Sequence, residues 1–313
     1  MEIDRSRRVF TLSASAALLL ASCASMEQDG KSVLLRADRA MGGSGLNTLR
    51  YTAAGIGGTF GQAYLPGQAW PRLNITSYSR DIDYANGAMR EESARSRAEP
   101  TGGGAVPLMG TGEQRSNGVV RGEYAWNVAG TAAAAAPLAV TDRMHDLWVT
   151  PHGVIKAALK NKATVRSDGG LSAVSFAEPG RFRAVAWING DGLVERVESV
   201  VPNPVLGDMR VVTRYMDYRD YGGVKFPARI VQEQGGSLVL DLNVAQVQPN
   251  APVAIEVPAN VPTFAERAVS EKAADGVWFL AGGSHNSVLV EMKDHLILVE
   301  SPLYDGRAQA VIA

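Results

Sequence analysis

From Lys162 onward, short runs rich in β-branched and aromatic residues follow one another at close intervals: Ala163–Arg166, Leu171–Phe176, Arg181–Ile188, Leu193–Val200, Met209–Tyr218, Lys225–Gln232 and Ser237–Val247. The turns between them include Asp168-Gly169-Gly170, Asn189-Gly190-Asp191-Gly192 and Gly235-Gly236. Segments of this length bounded by glycine, Asn and Asp make hairpins, because those residues take the turn conformations that close antiparallel strands. Such a succession constrains the chain to an antiparallel meander, curled around a helix or into a partial barrel.

The residues before it extend the same pattern. Ser32–Met41 carries an approximate helical stripe of Val33, Leu34, Leu35, Ala37, Ala40 and Met41, ended by Gly42-Gly43-Ser44-Gly45. Leu49–Gly58, Arg72–Tyr84, Ala88–Ser96 and Gly118–Val128 read as strands, with Asn86-Gly87 as a hairpin turn. Tyr124 and Trp126 lie two apart, hence on one strand face, where a core role is expected. Glu99–Gly112, with Pro100 and Pro107, reads as a loop, and Ala129–Pro137 as a weak helix or linker. Thr141–Lys160 predicts two short helices broken at Pro151. The fold class expected is mainly β with a few helices (α+β), built on a curved antiparallel sheet.

At 313 residues the chain has room for about two domains. A formal charge of −1 provides no attraction for a polyanion, so nucleic acid is set aside as a partner. The sequence has no Gly-x-Ser-x-Gly elbow, no phosphate-binding Gly-x-x-x-x-Gly-Lys-Ser/Thr loop and no Gly-x-Gly-x-x-Gly. Glu91 and Glu92 are neighbours on opposite strand faces and cannot share a substrate. His145 and His152, seven apart, would share a helical face, but Pro151 interrupts the helix between them, and only Asp142 or Asp146 is near enough to be a third ligand.

The first thirty residues read as an address. Arg5, Arg7 and Arg8 precede an apolar run from Phe10 to Ala21 that is too short to span a bilayer as a helix, as expected of a signal peptide. Leu20-Ala21-Ser22-Cys23, containing the one cysteine of the chain, resembles the lipobox of bacterial lipoproteins. That resemblance implies acylation of Cys23 and attachment to a membrane. Ser6-Arg7-Arg8-Val9-Phe10-Thr11-Leu12 resembles the twin-arginine export signal, with Arg7 and Arg8 as its pair and a departure at Thr11. Ala24 after the cysteine favours the outer membrane, so the expected location is the bacterial cell envelope, as an outer-membrane lipoprotein facing the periplasm.

Two further stretches carry resemblances. Tyr215-Met216-Asp217-Tyr218-Arg219-Asp220-Tyr221-Gly222-Gly223, with tyrosines every three residues, resembles edge segments of periplasmic lipoprotein-carrier half-barrels, where a curved sheet wraps acyl chains. The same spacing also fits tyrosines that simply pack at the end of a strand. Val277–Leu280, Ser287–Met292 and Leu296–Glu300 predict a tight three-stranded meander, its last strand apolar without alternation as in a strand buried on both faces, followed by a helix from Arg307. Residues Ala274 to Ala313 resemble the opening of a metallo-β-lactamase-fold hydrolase, departing from it at Glu300, where that family commonly has Asp. The resemblance implies an αββα sandwich begun at residue 276, with a zinc site in a His-x-His-x-Asp-His loop past Ala313.

On this reading the chain holds no catalytic or metal residue of its own. His285 and Asn286 are candidates for lining the cleft, with a plain turn role as the other reading, and His295 is expected to be solvated. The organisation expected is a signal peptide (1–22), a lipidated tether (23–32), a strand-rich domain (33–248), a proline-rich connector (249–275) and the incomplete final domain (276–313). Two functions stand side by side. The first is a lipid-anchored zinc hydrolase, acting on a small molecule the sequence does not specify, whose catalytic half lies past Ala313 and whose apolar surface near Leu296–Val299 is left uncovered. The alternative is a non-catalytic periplasmic carrier or binding lipoprotein holding an apolar ligand in its curved sheet.

Overall fold

A computed structural model describes residues 30–59, 67, 70–98, 112–203, 207–282, 286–300 and 304–313. A first helix, α1 (30–40), leads into β1 (Thr48–Gly58), β2 (Arg72–Asp83), β3 (Ala88–Arg97), β4 (Gln114–Arg121), β5 (Tyr124–Ala129) and β6 (Ala132–Ala135). Two helices follow, α2 (Ala139–Trp148) and α3 (Pro151–Lys160). Then come β7 (Thr164–Asp168), β8 (Leu171–Glu178), β9 (Phe182–Ile188), β10 (Val194–Asn203), β11 (Gly207–Tyr221), β12 (Val224–Gln234) and β13 (Ser237–Pro249). All thirteen strands join one curved antiparallel sheet in the order β6-β5-β4-β3-β2-β1-β13-β12-β11-β10-β9-β8-β7. The two meanders meet where β1 pairs with β13, Tyr51 opposite Val247.

Register separates the two faces. Val174, Ala186, Val197, Thr213 and Gln232 lie opposite one another across β8 to β12, and all are buried. This face carries the helices: Leu34 and Ala37 of α1 with Met41 just past it, Met144 and Leu147 of α2 and Ile155 of α3 share one core with Tyr51, Val197 and Phe226 of the sheet. Pro151 opens α3 at a position whose missing N–H costs nothing, and Thr150 caps it by accepting from Gly153 N at 3.2 Å. The predicted break at Pro151 is therefore a turn between two helices.

Gly42 ends α1 with φ +70°, and a Cβ there would lie 2.0 Å from Gly223 O. That close approach lets Lys225 N donate to Met41 O and seats α1 against the β11–β12 hairpin.

On the opposite face a smaller core joins Ala88, Val119 and Trp126 to Ile255 and Val261 of the proline-rich segment after β13. Arg121 Nη1 donates to Ile255 O at 2.7 Å, fixing that segment against β4. Trp126 is buried here, whereas Tyr124 on the same face is exposed.

Several sequence expectations change. Gly118–Val128 is two strands, because Gly122 at φ +59° turns the chain between β4 and β5. The alanine run holds β6, which pairs with β5 from Trp126–Ala135 to Ala129–Ala132; tertiary pairing overrides the helical preference of alanine. Tyr215 and Tyr218 would face opposite ways on a regular strand, yet both pack with the main core. Asp217 between them takes φ +55° and breaks the alternation.

After the proline-rich segment, β14 (Val269–Ala274), β15 (Val277–Ala281), β16 (Ser287–Glu291) and β17 (Leu296–Val299) form a separate four-stranded antiparallel sheet, with α4 (Asp305–Ile312) beyond it. β14 is exposed throughout and has Ser270, Glu271 and Lys272 at its centre, so it presents no apolar run. Arg307 of α4, 2% exposed, donates to the carbonyls of Arg267, Leu280 and Ala281 and ties the helix to this sheet. Every residue of β17 is exposed, so its apolar run does not mark a strand buried on both faces.

Candidate functional site

On the helix-covered face, charged groups are enclosed between β2, β3 and α2. Arg80 reaches Glu91 at 2.7 Å and Asp146 at 3.2 Å, and Tyr78 donates its hydroxyl to Glu91 at 2.6 Å. Burial opposes ionisation of Asp146, but the Arg80 guanidinium and a bond from His145 outweigh it and hold the carboxyl below its usual range. Burial pushes the Asp142 carboxyl up, with the Asp146 charge adding to it, and lowers the Arg143 guanidinium. Arg143 donates to the carbonyls of Val119 and Trp126, and so pins α2 to strands β4 and β5.

His145 Nε2 lies 2.6 Å from Ser199 Oγ, and its Nδ1 lies 3.4 Å from Asp146 Oδ1. Hydroxyl, imidazole and carboxylate in line are the components of an activated nucleophile. Here they are sealed: Ser199 and His145 are 4% and 3% exposed, and the His145 ring packs edge-on against Phe182 at 5.0 Å. Buried in this way, the bond locks α2 to β10. Sequence reading missed it because Ser199 is 54 residues away from His145.

His152 does not join His145. Its Nε2 meets Met41 O at 3.0 Å and its ring stacks on Phe226 at 6.2 Å. Burial lowers its pKa from 6.5 to about 4, so the ring is neutral and Nε2 donates. The two histidines hold different helices, and among the described residues no group of three or more His, Cys, Asp and Glu side chains is placed to hold a metal ion. A small cavity on this face, bounded by residues that include Tyr51, Arg80, Thr150, Thr213 and Leu242, measures about 20 Å³. That is room for about one water.

The other face is different. Most of it is studded with cross-strand ion pairs such as Arg50–Asp81 at 2.5 Å, Arg229–Asp241 at 2.8 Å and Arg214–Glu233 at 3.1 Å. Beside the Glu198–Arg210 pair of β10 and β11, the pattern thins across β8 and β9. Ala177, Val185 and Val200 form an apolar floor next to Trp187, in a groove of about 610 Å³. The Trp187 indole is held by Asp168, which accepts its N–H at 2.8 Å, and by the Arg196 guanidinium stacked 4.0 Å from the ring centre. A second groove of about 640 Å³, across β1 to β5, is lined by polar residues such as Thr52, Ser79, Glu92 and Asn117.

Glu91 and Glu92 do face opposite ways, the first to Arg80 and the second to Asn117. Cys23, Arg7, Arg8 and His285 lie outside the described residues. Asn286 is exposed immediately before β16, and His295 is exposed with Nδ1 2.7 Å from Asp294.

What these features define is a strand-rich protein with helices packed on one face of a curved sheet and an apolar groove on the other. No protein-family model matches the chain, and no curated protein matches it. Among solved structures it is similar to a LolA-superfamily protein from Nitrosomonas europaea, with 14% identity over 72% of this chain and 94% of that one and a TM-score of 0.42. It is also similar to a DUF1329-family protein from Desulfovibrio piger (9% identity, 73% and 95% covered, TM-score 0.38). A third is an outer-membrane lipoprotein-sorting protein domain from Vibrio parahaemolyticus (8% identity, 73% and 95% covered, TM-score 0.38).

The metallo-β-lactamase resemblance is corrected by the fold. Among the described residues the strands form one thirteen-stranded curved sheet and a separate four-stranded sheet, β14 to β17, whose last strand is exposed throughout, and not an αββα sandwich. The hydrolase reading falls with it, and the zinc expectation, which rested on that resemblance alone, loses its support.

Proposed function

We propose that this protein is a non-catalytic binding or carrier lipoprotein of the bacterial cell envelope, anchored to the outer membrane through Cys23, whose curved sheet holds an apolar ligand. The observation that carries this reading is the groove over Ala177, Val185 and Val200. Its volume of about 610 Å³ falls within the roughly 300–1,000 Å³ common for small-molecule sites. An apolar floor in an otherwise ion-paired sheet face is what an interaction site requires and what a solvated surface avoids. Val200 is 39% exposed there, so the floor is open to a ligand. The lipobox-like Leu20-Ala21-Ser22-Cys23 supports the anchor, and two acyl chains are enough to hold a folded body at a bilayer.

Titration with an uncharged naphthylamine probe tests the reading. Saturable fluorescence enhancement is expected, and Val185→Glu is expected to abolish it while leaving the circular dichroism spectrum unchanged. Linear, non-saturating enhancement, or full binding by a folded Val185→Glu protein, would refute the site.

A further inference from the structure

The groove has a charged end. Along one cross-strand row Arg183, Val200 and Arg210 stand opposite one another on β9, β10 and β11, and Lys162, just before β7, lines the same groove. Against these three cations the groove lining offers one carboxylate, Glu198, which Arg210 engages at 2.6 Å and Arg196 at 3.2 Å. Neither Lys162 nor Arg183 has an ion pair among the described residues. Lys162 also holds φ +50°, a conformation that glycine or asparagine would adopt more cheaply.

Ala177 and Val200 of the floor share this row with the cations, and Val185 stands in the next row, opposite Glu198. Val185 lies one pleat repeat along from Arg183 on β9, and Trp187 one further, so the floor extends about 13 Å from the cationic row at ~3.3 Å per residue. A ligand filling the groove would place a chain over Val200 and Val185 towards the indole, and its head between Arg183, Lys162 and Arg210.

We propose that the ligand is a single-chain amphiphile with an anionic head, of the fatty-acid class. The inference rests on the carrier reading and adds the sign of the head group to it. Guanidinium groups beside an apolar wall bind a carboxylate by charge-assisted hydrogen bonds that a hydroxyl head cannot match and an ammonium head opposes.

The test is calorimetric titration of the purified protein with dodecanoate, dodecanol and dodecyltrimethylammonium below their aggregation concentrations, together with flotation on anionic phospholipid vesicles. Dodecanoate is expected to bind about tenfold or more tightly than dodecanol, the ammonium compound not at all, and Arg183→Glu to erase the preference for dodecanoate while dodecanol binding persists. Equal affinity for all three chains would overturn the anionic-head inference and leave the carrier reading intact. Absence of binding by any chain would overturn both. Flotation on vesicles without binding of monomeric dodecanoate would overturn the inference in favour of a membrane-contact face.

Discussion

Arg80 on β2 and Asp146 on α2 meet at 3.2 Å across the boundary between sheet and helix, while the same guanidinium holds Glu91 at 2.7 Å. Arg80 is 7% exposed, so its charge is tolerated only because two carboxylates face it.

Removing that cation leaves Glu91 with Tyr78 and the more distant Arg95, and Asp146 with His145, as their remaining partners. Arg80→Ala is expected to destabilise the fold by about 3 kcal/mol, read from the urea midpoint. Arg80→Ala combined with Asp146→Asn and Glu91→Gln should recover part of the loss, and a triple variant no more stable than the single one would show that the pairing is not the cause.

His152 makes stability depend on pH. Its folded pKa of about 4 lies below the unfolded 6.5, so the unfolded chain binds the proton first on acidification. The stabilisation is therefore complete above pH 6.5 and is lost as pH falls towards 4, reaching about 3 kcal/mol in total. Denaturation at pH 7, 5.5 and 4.5 should show this slope, and His152→Leu should be flatter over that range by about 2 kcal/mol. Parallel slopes in the two proteins would contradict it.

At Gly42, a Cβ would strike Gly223 O, and the residue's φ is positive. Gly42→Ala should lower stability by about 1–3 kcal/mol. The displacement should show as faster amide exchange at Lys225, whose N–H bonds Met41 O.

Ile255 anchors the proline-rich segment on Trp126 and Val119. Ile255→Ala, which costs about 2–5 kcal/mol for a buried aliphatic side chain, is expected to loosen that segment first. Limited proteolysis should then cut within residues 251–261 before the sheet, whereas uniform cutting across the chain would mean that the segment is not held separately.

Much of the sheet could be read from the residues. Where β-branched runs alternate with glycine turns, as from Thr164 to Pro249, expected and observed strands differ by a few residues at their ends. The two helices about Pro151 were legible for the same local reason. What escaped was set by partners far along the chain. β6 is a strand only because β5 lies beside it, and the web around Arg80 joins residues 66 positions apart. The groove was hidden for a further reason: Ala177, Val185 and Val200 look in sequence like any alternating strand positions, and only the register of three strands gathers them around Arg183 on one face. The final meander misled because a short apolar strand has the same composition whether a fold covers it or leaves it bare, as β17 is.

That the apolar groove lies on the face the helices leave uncovered bears on kinetics as well as capacity. A passenger on the outer groove can come and go without any helix lifting, so its residence time is set by how fast its hydrocarbon tail leaves Val185 and Val200 for water. Exchange should then speed up with each methylene removed from the tail and stay indifferent to cross-links that staple α2 or α3 to the sheet.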